Sequence, residues 1–121
     1  MQTVQKYHMK KLHIAISTHK IEETVSDYSV RLSAKPCLHL NGEYALWRTE
    51  FLNVSIRQDN NCKPGELRHL GWEVATSDEF HQDIDVNGIL WEEFTAQQQA
   101  DEINTLWPKA NYHPLNQAGE C

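Results

Sequence analysis

Positive charge is scarce in this chain. Eleven Lys and Arg stand against 17 Asp and Glu, a net charge of −6. That balance opposes a phosphate-tracking surface, because nucleic-acid modules carry a basic stripe, so no nucleic-acid partner is expected. The sole cationic cluster, Lys6, Lys10 and Lys11, reads as a solubilising feature of an N-terminal arm. Long apolar runs are also lacking. None approaches the roughly 20 residues that cross a bilayer, so no membrane partner is expected. The opening MQTVQKYHMKKLHIAIS has neither a long apolar stretch nor a cleavage site and does not read as a secretory signal. Cysteine is limited to Cys37, Cys62 and Cys121. An odd number without a C-x-x-C argues against a disulfide framework and makes a reduced, cytoplasmic setting the expectation. There is no G-x-G-x-x-G, P-loop, H-E-x-x-H or G-x-S-x-G, which removes the commonest nucleotide, zinc-protease and serine-hydrolase readings.

What is present suits one domain. The chain has 121 residues, 40% hydrophobic and 23% charged, enough to bury a core without staples. Residues 1–10 lack periodicity and read as a flexible arm; the domain spans 11–108, and 109–121 reads as an irregular tail. Leu12–Ser17 alternates as a strand, with Leu12, Ile14 and Ile16 on one face and His13 and Ala15 on the other. Thr18 is placed to cap a helix whose apolar stripe is Ile21, Val25, Tyr28 and Leu32, and Pro36 prevents its continuation. Strands are predicted at Cys37–Leu40, Glu43–Thr49 and Phe51–Arg57, the first two joined by the hairpin signal Asn41-Gly42. Gln58–Glu66 is a polar loop. Leu67–Ala75 is another strand. Thr76 with Glu79 predicts a second short helix carrying Phe80 and Ile84, ended by Asn87-Gly88. Its acidic run, Asp78 to Asp85, reads as a solvated helix face. Ile89–Phe94 is a further strand, and Thr95 with Gln98 caps a last helix through Trp107.

This order contains two half-copies of one unit, about 11–57 and 67–94, opened by His13-Ile14-Ala15-Ile16 and His69-Leu70-Gly71-Trp72. The fold class is α+β: a mixed, curved sheet of βαβββ type with helices on one face and the second unit incomplete, followed by an added helix at 95–107. The opposite face carries His13, Asn53, Ser55, Arg57, His69 and Glu73, a candidate pocket for a small molecule. Arg48 and Arg57 suit bidentate contact with an anion, although exposed strand arginines are the commoner case. Trp47 belongs either to the pocket or to the core. Trp91 and Trp107 suit a ligand pocket or a subunit contact.

The segments around His13–Ile16, Ile21–Tyr28 and Leu67–Val74 resemble the vicinal oxygen chelate superfamily, the group of glyoxalase I, bleomycin-resistance proteins, fosfomycin-resistance transferases and extradiol dioxygenases. The likeness covers residues 11–90. It implies paired βαβββ units forming a cupped sheet and, in metal-using members, one divalent ion. His13 matches the first-strand ligand position and His69 the fifth-strand position. Asn53 falls where glyoxalase I has a carboxylate, and the last-strand Glu has no clear match. Two imidazoles need a third protein ligand. Glu73 sits about 13 Å along the strand from His69 and cannot reach the same ion. Glu92 or Glu93 is available, though no spacing requires either.

Two functions follow. In the first, the chain is a small-molecule-binding protein of glyoxalase or bleomycin-resistance type, either metal-dependent (a lyase, transferase or dioxygenase) or a non-catalytic sequestering protein. His13 and His69 are then ligands or, as such residues more often are, hydrogen-bonded pocket histidines. In the second, it is a non-catalytic interaction module that keeps the fold without the site. Both predict a homodimer, since the altered C-terminal third leaves a sheet edge to be covered.

Overall fold

A computed structural model describes residues 10–114 and 121. The strands are β1 (Lys11–Thr18), β2 (Leu38–Leu40), β3 (Tyr44–Arg48), β4 (Leu52–Gln58), β5 (Glu66–Val74), β6 (His81–Ile84) and β7 (Leu90–Thr95). The helices are α1 (Ile21–Arg31) and α2 (Ala96–Leu106), with a 3-10 turn at Pro108–Ala110. One seven-stranded mixed sheet runs β2-β3-β4-β1-β5-β7-β6. The α+β class and the mixed sheet are those the residue patterns indicate. The predicted arm lies outside the described residues except Lys10. Of the predicted tail, 115–120 also lie outside.

The strand pairing follows the same pattern on both sides of the sheet. β1 pairs parallel with β4, which pairs antiparallel with β3. β5 pairs parallel with β7, which pairs antiparallel with β6. The two halves meet through the antiparallel β1–β5 pair. The first half has its helix and a fourth strand, β2. Among the described residues, the second has neither.

The missing helix corrects the Thr76–Glu79 prediction. Residues 81–84 form β6, the exposed edge of the sheet. With only Phe80, Ile84 and Val86 apolar, a helix there buries too little to outweigh its ordering entropy. Asn87-Gly88 turns a hairpin instead of ending a helix. Gly88 takes φ +79, and the Asp85 carboxylate accepts from the backbone N–H of Asn87 and Ile89 and from Trp91 Nε1. The acidic run is therefore loop and edge strand.

Helix placement differs as well. α1 covers the apolar face, where Ile21, Val25, Tyr28 and Leu32 pack on Ala45, Trp47, Val54 and Ile56. Its cap is not Thr18. Lys20 is the N-cap, Thr18 Oγ1 accepts from the Lys20 N–H, and Gln58 Oε1 accepts from Ile21. α2 lies on the other face, the polar one, so the helices do not share a side. Ala100 and Ile103 of α2 pack with Tyr44, Leu46 and Tyr112. Tyr112 anchors part of the segment expected to be irregular, through reciprocal hydrogen bonds with Asn104. The Thr95/Gln98 capping box starts α2 as its sequence indicates.

Two further expectations change. Cys37 and Cys121 are joined as a disulfide across 84 residues of sequence, leaving Cys62 free. Lys11 is not part of a solvated cluster: it is 2% exposed and its Nζ donates to the carbonyls of Thr49 and Glu50. No helix among the described residues is long and apolar enough to cross a membrane.

Candidate metal centre and pocket

β1 and β5 bring His13 and His69 together, with their Nε2 atoms 3.0 Å apart. The third residue is Glu92 of β7, whose Oε1 lies 3.0 Å from His69 Nε2. The three donor atoms all lie within 4.8 Å of one another. Register explains the convergence. Gly71 is opposite both His13 on β1 and Glu92 on β7. Its missing side chain opens the space across which these two reach, and a Cβ there would collide with the Glu92 backbone.

A buried network behind His13 fixes which nitrogen faces the cluster. Asn53 Nδ2 donates to Glu73 Oε1 and Gln99 Oε1. Asn53 Oδ1 is therefore an acceptor, and His13 Nδ1 donates to it at 2.8 Å. That leaves His13 Nε2 with its lone pair toward His69. Such a partner on the far nitrogen orients metal-ligating histidines and raises their basicity. Burial, together with the nearby His69, lowers the His13 pKa to about 4 despite the opposing effect of the hydrogen bonds that His13 donates to Asn53. His13 is thus a neutral imidazole at physiological pH.

Glu73 and Arg48 form the base of this network. Arg48 Nε and Nη2 donate to the two Glu73 oxygens at 2.9 and 2.8 Å, both side chains being essentially buried. Burial opposes the Arg48 charge, but the hydrogen bonds and charge of Glu73 outweigh it and raise the Arg48 pKa. The pair sits behind the histidines and does not line the cavity. Trp47 is also outside the pocket: it is fully buried under α1 and donates Nε1–H to the Ala34 carbonyl.

The cluster opens into a cavity of about 320 Å³. The sheet contributes His13, Tyr44, Ser55, Arg57, Arg68, His69, Glu92 and Phe94; α2 and its C-terminal end contribute Gln98, Gln99, Asp101, Glu102, Ile103, Leu106 and Trp107. Phe80 also lines the cavity. Phe94 packs edge-on to His13 at 4.8 Å between ring centres. Of the residues read from the sequence, His13, His69, Ser55 and Arg57 line the cavity, as do Trp107 and Glu92. Asn53, Glu73 and Arg48 support it from behind.

Sequence reasoning leaves Glu92 and Glu93 equivalent. The parallel β5–β7 register separates them, since Glu92 shares the face of Gly71 and Glu93 that of Trp72. Arg68 is absent from the sequence-derived site. Strict alternation puts it opposite His69, but the register shifts there: Ala15 pairs with His69 and Ile16 with Leu67. Arg68 is the extra residue of a β-bulge, which re-aims its side chain into the cavity beside His69.

The donor set fits a divalent transition metal. Two imidazole nitrogens and one carboxylate form the 2-His-1-carboxylate set that leaves further positions open. Two of the three donor pairs, His13–His69 and His69–Glu92, lie 3.0 Å apart, so these residues would hold the ion between β1, β5 and β7. No protein-family profile and no curated protein sequence matches the chain.

Proposed function

We propose that this is a metal-dependent small-molecule protein, with His13, His69 and Glu92 holding one divalent ion in the wall of the cavity. The observation that carries the reading is the convergence of these three donors, from three strands, at a cavity surface. Hydrogen-bonded pocket histidines alone need no carboxylate and no open side. The bound ion would act as a Lewis acid on a substrate oxygen. The chain's own residues do the rest. Asn53 holds the His13 tautomer, Phe94 and Ile103 supply apolar walls, and Gln98 and Gln99 offer amide donors and acceptors. This is the chemistry of the vicinal oxygen chelate group, and the paired half-units support that likeness. The test is a titration of Co(II)-loaded protein with catechol and with a 2-hydroxy acid, followed by the visible cobalt absorption. A saturable spectral change, absent in Glu92→Gln, supports the reading. Unchanged cobalt bands with both chelators contradict it.

A second reading, a homodimer, has its own observation. The face of β5, β7 and β6 that α1 would cover in the first half has no helix over it among the described residues. Trp72 and Trp91 lie there, 6.4 Å apart, and Val86 in the adjoining β6–β7 turn is 99% exposed. Sedimentation equilibrium tests it. A dimer that dissociates in Trp72→Ser/Val86→Asp supports self-association, and a monomeric wild-type chain contradicts it.

A further inference from the structure

We propose that Arg57 and Arg68 form an anion subsite in the cavity, so that the small molecule carries a carboxylate at one end. The two arginines reach the same cavity from different strands, Arg57 from β4 and Arg68 from the bulge in β5. Both are half-buried, and neither makes an ion pair or side-chain hydrogen bond with the described residues. Arg57 lies over the Trp107 ring at 5.5 Å, which holds its guanidinium in place. Two like charges brought together under partial burial, with no carboxylate of the described residues in ion-pair contact with either, are stabilised by an anion that accepts their hydrogen bonds. Burial and the neighbouring Arg57 lower the Arg68 pKa accordingly, while Arg remains charged. Glu92, Asp101 and Glu102 also line the cavity. Their negative charge favours a singly charged planar carboxylate over a doubly charged phosphate. The fork of a guanidinium matches a carboxylate by two parallel hydrogen bonds.

The inference deepens the function proposed above and rests on it for the opposite end of the molecule, whose oxygens would meet the ion at His13, His69 and Glu92. The subsite itself is testable without metal. EDTA-treated protein is titrated calorimetrically with benzoate, benzamide and inorganic phosphate. The account expects saturable benzoate binding, at least tenfold weaker benzamide binding, and a tenfold or greater loss of benzoate affinity in Arg57→Gln and in Arg68→Gln. Arg68→Lys should recover part of that loss. Uptake of Co(II) by each variant at the wild-type stoichiometry shows that its fold is intact. Equal binding of benzoate and benzamide, no benzoate binding, or unchanged benzoate binding in both Gln variants overturns the subsite. Phosphate binding tighter than benzoate overturns the carboxylate assignment. Benzoate binding through the arginines in a protein that takes up no metal keeps the subsite and removes the metal reading. Metal uptake without benzoate binding does the reverse.

Discussion

His13 joins the cavity to the buried network, and two predictions belong to it. Its pKa, about 4 in the fold against 6.5 in an unperturbed histidine, means that the unfolded chain binds the extra proton between those values. Stability therefore rises with pH across that window and falls as pH is lowered from about 6.5 toward 4. The full effect is on the order of 3 kcal/mol. Urea denaturation of metal-free protein across this range should show the slope, and His13→Gln should flatten it; an equal slope in that variant would assign the effect elsewhere. The second prediction concerns Asn53, whose side chain sets the His13 tautomer. Asn53→Ala should weaken Co(II) affinity about 10–100-fold, as read by competition with a chromophoric chelator. Unchanged affinity, with circular dichroism like the wild type, would make Asn53 a packing residue only.

Elements differ in how much of them the residues alone reveal. The alternation in β1, β4 and β5 makes the His13, Ser55, Arg57 and His69 face readable from sequence, because the strand period of two admits only one assignment. Helix α2 is readable from its capping box and β2–β3 from Asn41-Gly42. What sequence does not reveal depends on pairing. The hairpin at Asn87-Gly88 looks like a helix end until β7 supplies a partner for β6. Glu92 differs from Glu93 only once the β5–β7 register is known, and a bulge, which breaks the period, hides Arg68 from any argument based on it. The face taken by α2 is equally illegible, since its apolar side chains fit either side of the sheet. Gly71 shows the same dependence: its importance lies in two neighbouring strands. Gly71→Ala should push β5 from β7, costing about 1–3 kcal/mol, and should weaken metal binding with it. Differential scanning calorimetry and the chelator competition measure the two effects. An unchanged melting temperature would contradict the close approach.

At the scale of the whole molecule, two half-units share one sheet, and among the described residues only the first has a helix on its apolar face. The second half instead passes its chain over the polar face as α2, turning an open sheet surface into a walled cavity. The Cys37–Cys121 disulfide ties the far end of the sequence to the start of β2. It closes a long loop, and its reduction should lower stability by about 2–4 kcal/mol. Denaturation with and without dithiothreitol tests this, Cys37→Ser serving as the control that should no longer respond; equal midpoints in the wild type would mean the bond contributes nothing. The central claim is that one divalent ion sits where β1, β5 and β7 converge. Elemental mass spectrometry of protein equilibrated with Mn, Fe, Co, Ni and Zn and then desalted tests it most directly. The account predicts one metal per chain, lost in His13→Ala, His69→Ala and Glu92→Gln. No metal above background, or a stoichiometry that survives all three substitutions, would contradict it.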